Sequence, residues 1–252
     1  MSGHSKWATT KHKKGLVDAK RSKMFTKIQK EITVAAKMGD PSPDFNPRLR
    51  NAVIAAKTVN MPKDKIDSAI KRATGAGGGD NYDEIRYEGY ATGGVALIVE
   101  TLTDNKNRTA SNIRSYFTKY GGSLAETGSV SFMFEKVGIV GYEGEKASED
   151  KILEIAVDCG AENVESTAEW HEITLNLNDF TAVRDKLIRE LGEPSESKIT
   201  WKPKSIVVIE DVEQANKLLK LIDKIEDDDD VQSVVGNFEI PDDVMEKVDS
   251  LQ

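Results

Sequence analysis

The sequence predicts an α+β protein of three domains: an N-terminal three-helix domain and two α/β domains of ferredoxin-like plan, one inserted into the other. Three observations predict this. Helical periodicity fills residues 17–74 and stops at Gly75-Ala76-Gly77-Gly78-Gly79-Asp80. Strand-like apolar patterns take over beyond that run. Within them, residues 136–204 carry strand and helix signals in the order β-α-β-β-α-β, the split βαβ plan. The expected boundaries are a basic arm, helical domain and Gly-rich linker over 1–79, a discontinuous middle domain over 80–135 and 205–252, and an inserted domain over 136–204.

The first helix begins near Val17. Met24, Phe25, Ile28, Ile32 and Ala35 fall within an arc of roughly 100°. A second helix starts at Asn46-Pro47, where Asn is a strong N-cap and Pro suits the first helical position. It carries Leu49, Ala52, Val53, Ala56 and Val59. A third follows Met61-Pro62 with Ile66, Ala69, Ile70 and Ala73. The glycine cluster lacks the Gly-Lys-Ser/Thr of a phosphate loop and reads as a linker. Strands are then expected at 85–90, 94–102 and 130–134, with a helix over 107–120 ended by Gly121-Gly122. The inserted unit reads as strand 138–142, helix 148–159, strands 163–166 and 170–177, helix 179–191 and strand 198–202. Strand 206–209, helix 212–225 and strand 231–238 complete the sheet begun near residue 82.

Apolar residues make up 38% and charged residues 31% of the 252, enough apolar content to build cores. No segment approaches the ~18 consecutive apolar residues of a membrane span. The basic N-terminus lacks the apolar stretch of a signal peptide. The one cysteine, Cys159, cannot form an internal disulfide. A cytoplasmic protein without a membrane partner is the expectation.

Enzymatic chemistry is poorly supplied. His4 and His12 sit among lysines that repel a metal ion, and His171 lies in a strand pattern beside Trp170. No Cys/His spacing fits a zinc site, and no nucleophile elbow is present. The run Glu226-Asp227-Asp228-Asp229-Asp230 lacks the spaced ligands of a calcium loop and reads as a solvated turn. Thr103-Asp104-Asn105-Lys106-Asn107-Arg108-Thr109 reads chiefly as a capping loop rich in turn residues. Neither a catalytic residue nor a cofactor is expected.

Charge segregation points to a different activity. Residues 1–72 hold 17 Lys and Arg against 6 Asp and Glu, a net of +11, whereas the remainder holds 18 against 37, a net of −19. Such asymmetry marks contact with nucleic acid or another acidic surface. Lys20, Lys23, Lys27, Lys30 and Lys37 fall on one side of the first helix, and the stretch from Lys20 to Lys30 spans about 15 Å. Arg21 falls on the apolar side. The arm adds Lys6, Lys11, His12, Lys13 and Lys14, with Trp7 placed to stack on an exposed base or to pack on the helices. Arg48 and Arg50 extend the set into the second helix. Lysine contacts of this kind position a phosphate backbone without reading its sequence. The acidic α/β domains could dock a protein partner.

The motifs Gly3-His4-Ser5-Lys6-Trp7-Ala8 and Lys11-His12-Lys13-Lys14 resemble the opening of the YebC/PmpR family. The likeness continues through Ala19-Lys20-Arg21-Ser22-Lys23-Met24-Phe25, Asn46-Pro47-Arg48-Leu49-Arg50, Asn60-Met61-Pro62-Lys63-Asp64, Arg86-Tyr87-Glu88-Gly89-Tyr90, Asn107-Arg108-Thr109 and Glu126-Thr127-Gly128-Ser129-Val130. The resemblance implies a helical domain followed by two α/β domains and supplies no catalytic residue. It implies a DNA-binding transcriptional regulator, with an RNA- or ribosome-binding translation factor as the second reading.

Overall fold

The computed structural model describes residues 18–75 and 81–250. Helix α1 runs over Asp18–Met38. Helix α2 (Pro47–Thr58) is capped as expected: Asn46 accepts the Leu49 N–H at 3.1 Å. The Asn46 amide also donates to the carbonyls of Ala35 and Asp40, both at 2.8 Å, so one buried side chain closes the loop from α1. Helix α3 is Lys63–Thr74. Leu49, Ala52, Ala56, Ile66, Ala69 and Ala73 are its and α2's buried residues. The linker expected after Gly75 lies outside the described residues.

Strands β1 (Asp83–Tyr90) and β2 (Ala96–Thr103) form an antiparallel hairpin. Helix α4 (Lys106–Lys119) follows, then β3 (Ser123–Ala125). Strand β4 is one ten-residue strand, Phe134–Glu143. The strand expected at 130–134 is replaced over Ser131–Met133 by a tight 3₁₀ turn. The cause is Glu88, whose fully buried carboxylate accepts the N–H groups of Val130 (2.8 Å) and Ser131 (2.9 Å). Those donors are thereby taken from any ladder. Burial pushes the Glu88 carboxyl up, but the N–H groups of Val130, Gly128 and Ser131 and nearby Arg86 outweigh it and hold it below its ordinary value.

Helix α5 (Glu149–Cys159), β5 (Asn163–Ser166), β6 (Trp170–Leu175), α6 (Phe180–Leu191) and β7 (Glu196–Pro203) complete the inserted βαββαβ unit. Its sheet order is β5-β6-β4-β7, the ferredoxin-like arrangement. Then come β8 (Val207–Val208), α7 (Val212–Glu226), β9 (Val231–Gly236), β10 (Phe238–Glu239) and α8 (Asp242–Asp249). The middle sheet is ordered β3-β1-β2-β9. This is the ferredoxin-like order with one strand permuted, because β1 precedes β2 in the chain. β8 does not join that sheet as expected; it pairs in parallel with β10.

Two compact units emerge. One comprises Ile32–Thr74 and Lys136–Trp201, the other residues 18–31, 81–135 and 202–250. Within the first, Val140, Tyr142, Ile152, Ile173, Leu175 and Leu187 form the sheet–helix core. There the fully buried Arg184 of α6 donates to Asn51 of α2 and to its neighbour Asp185, and its guanidinium lies 5.6 Å from the Phe180 ring centre. A buried arginine needs such partners to avoid an uncompensated charge. Within the second unit, Leu97, Val99, Ile113, Phe117, Leu218 and Ile222 fill the core. No helix among the described residues is long and apolar enough to cross a membrane.

Candidate nucleic-acid interface

Lys23, Lys27 and Lys30 recur at i, i+4 and i+7 along α1, so their ammonium groups form a row. The row meets the turn that follows α7. That helix ends with the negative end of its dipole toward the row, and four aspartates come next. Lys23 Nζ donates to the Asp227 carboxylate at 2.5 Å and the Asp227 carbonyl at 3.1 Å. Lys27 Nζ donates to the Glu226 carbonyl at 2.6 Å, a C-terminal cap for α7. Lys30 Nζ reaches the Asp229 carbonyl and Asp230 Oδ1, both at 2.8 Å, and lies 5.5 Å from the Tyr82 ring centre. A cleft of about 490 Å³ opens here, lined also by Thr26, Arg108 and Asn112.

Asp230 is the buried end of this array, 3% exposed. Its Oδ2 accepts from Arg108 Nη2 (2.6 Å), Thr109 Oγ1 (2.8 Å) and Thr103 Oγ1 (3.1 Å). Burial pushes its carboxyl up, but the donors Arg108, Lys30 and Thr109 overcome that and hold it at about 2. Asp228 accepts from Tyr116 Oη at 3.0 Å and Asn112 Nδ2 at 3.1 Å. Burial, then the bond to Asp228, push the Tyr116 phenol up to about 12. Lys27 moves the other way. Burial brings it down to about 8 against the pull of Asp228, Asp229 and Asp227.

The remaining expected contacts fall in different places. Lys6, Trp7, Lys11, His12, Lys13 and Lys14 lie outside the described residues. Lys20 and Arg21 belong to α1, but their side chains also lie outside them. Arg50 clamps the loop before α2, donating to the carbonyls of Pro43 (3.0 Å) and Asp44 (2.6 Å), and stands 3.8 Å from Asp185. Arg48 Nη1 lies 3.7 Å from Met38 Sδ.

Reading residues 226–230 as a solvated turn missed its role. Asp227 lies at the surface, whereas Asp230 is caged and Asp228 is bonded to α4. The loop from Thr103 to Thr109 does cap α4, through Asn105 and the Arg108 N–H, and in addition its Thr103, Arg108 and Thr109 bind Asp230. The signal available in the sequence was complementarity. A lysine row at helical spacing and an aspartate run ending an amphipathic helix are opposite in charge.

Comparison with known proteins matches residues 5–76 to the TACO1/YebC protein N-terminal domain and residues 82–238 to the TACO1/YebC second and third domain. The chain belongs to the TACO1/YebC family. The family assignment agrees with the resemblance drawn from the motifs, and the model for the second and third domains is named for transcriptional regulation. The crystal structure of a conserved hypothetical protein from Aquifex aeolicus is similar at 46% identity, covering 94% of this chain and 98% of that one, with a TM-score of 0.87.

Proposed function

We propose that this TACO1/YebC-family chain is a non-enzymatic regulator of transcription that holds duplex DNA by its phosphate backbone. The contacts are the arm residues Lys6, Lys11, His12, Lys13 and Lys14, with Lys20, Arg21, Lys23, Lys27 and Lys30 of α1. Trp7 stacks on exposed bases, and Arg48 and Arg50 add peripheral charge. One observation carries the reading: three lysines on one helical face already bind a run of anionic and carbonyl oxygens. Their chain segment has a net of +11.

The composition of the row favours a second reading. Base readout in the major groove uses Arg, Asn or Gln, whereas lysine contacts to phosphate suit any backbone. Structured RNA, and the ribosome as its largest assembly, would serve the same row in a translation factor. A titration at several salt concentrations against duplex DNA, ribosomal RNA and intact ribosomes separates the two. Preference for particular duplexes that persists as salt rises supports transcription. Weak DNA binding that collapses with salt, beside tight ribosome binding, supports translation. Absence of binding to all three at low salt would refute the proposal.

A further inference from the structure

We infer that the acidic turn at residues 226–230 is an intramolecular competitor of nucleic-acid phosphate for Lys23, Lys27 and Lys30. The inference rests on the reading of that row as a phosphate contact. It adds a regulator of the contact that lies in the chain itself.

The argument starts from donors. An ammonium group has three N–H donors. Lys23 spends two on Asp227, and Lys30 spends two on Asp229 and Asp230. The row rises about 10 Å from Lys23 to Lys30. One strand of a duplex carries a phosphate per about 3.4 Å of axis, so a row of this length faces about three phosphates. The turn presents five oxygens over the same span. A phosphate arriving there would also stand beside the aspartates, and like charges at contact distance repel. Phosphate and turn therefore exclude one another.

The competition is graded along the helix. The Lys23–Asp227 pair is exposed, 39% and 50% at its side chains, whereas the Lys30–Asp230 pair is 13% and 5%. Asp230 is fastened by Arg108, Thr103 and Thr109 and belongs to the fold. Asp228 is likewise bonded to α4. Asp227 and Asp229 are the members that can be neutralised without cutting either anchor. The end of the row nearest the arm is the end that yields first.

The test compares two double variants of the full chain by fluorescence anisotropy with a labelled 20-base-pair duplex and a labelled RNA hairpin. One is Asp227→Asn/Asp229→Asn. The control, Asp242→Asn/Asp243→Asn, removes the same charge from α8. Thermal unfolding checks that both remain folded. Removing the competitor is expected to tighten binding about threefold to tenfold, the scale of one or two exposed ion pairs. It should also steepen the salt dependence by up to about two units as Lys23 and Lys27 take up phosphate. The control should change affinity by less than about twofold. Adding Lys23→Gln/Lys27→Gln to the turn variant should erase the gain, because the two pairs of changes are coupled through one contact. Equal effects in the turn variant and the control, or a gain that survives loss of the two lysines, would overturn the inference while leaving nucleic-acid binding intact. If neither the wild type nor the turn variant binds, the parent reading fails and the competitor with it.

Discussion

Replacing Asp230 by Ala removes one carboxylate that serves four donors from three chain segments: Lys30, Thr103, and Arg108 with Thr109. Breaking a buried ion pair from one side costs about 3–5 kcal/mol. The low end applies here. Arg108 keeps Asp104 at 2.7 Å, Lys30 keeps the Asp229 carbonyl at 2.8 Å, and Thr109 keeps the Asn105 carbonyl at 3.1 Å. The expected loss is therefore about 3 kcal/mol. With an m-value of about 2 kcal/mol/M, the urea midpoint falls by about 1.5 M, which circular dichroism reads directly. The pH dependence has a definite sign. The folded carboxyl sits at about 2, below its unfolded value, so its stabilisation is complete above about pH 4 and is lost as pH falls toward 2. The variant should lack that acid limb. A midpoint shift below about 0.3 M, or an acid limb shared by both proteins, would refute the assignment of Asp230 as the anchor.

Lys27→Met should be tolerated within about 1 kcal/mol at pH 7, since it trades a partly buried charge and one bond to Glu226 for an apolar chain. Because folding lowers the lysine to about 8, its charging penalty is full below pH 8 and fades toward 10.5, so the stability of the variant relative to wild type should decline over that window in paired unfolding curves. Gly141→Ala in β4 would drive a Cβ into the Trp170 indole ring, and a loss of about 1–3 kcal/mol in thermal unfolding is expected. Glu88→Ala should leave the two N–H groups of Val130 and Ser131 without their acceptor, and faster amide exchange at those two residues is the readout. Unchanged protection there would show that the turn holds without the carboxylate.

Much of the fold was legible because its signals are local. Asn46-Pro47 announces α2, the Ser148 cap and Gly160 bracket α5, and the apolar run of β2 is buried almost throughout. Features decided by distant partners were not legible. The turn at Ser131–Met133 depends on a carboxylate more than forty residues away in β1. β3 is three residues long and gains its place only by pairing with β1. α8 shows just two buried residues, Val244 and Val248, too few for a periodic signal. The same limit governed the site. Lysine spacing revealed a cationic face, but nothing local to residues 23–30 indicates that residues 226–230 will meet it.

The middle sheet also sets an order of assembly. β2 pairs with β9 from Leu97↔Gly236 to Thr101↔Val231, a closure that waits until more than a hundred further residues have been synthesised. The inserted sheet draws its pairs from strands within 134–203, for example Gly138↔Leu175 and Asn163↔Thr174, and can form while the later strand is still being made. Once residues 136–201 are folded, roughly half of the loop between β2 and β9 no longer behaves as free chain. Each halving of a flexible loop recovers about 0.6 kcal/mol of closure entropy. An insertion that looks like an interruption thus shortens the search for the last strand. Until β9 arrives, one edge of β2 lacks its neighbour, and that interval is when the nascent protein is most exposed to pairing with the wrong strand.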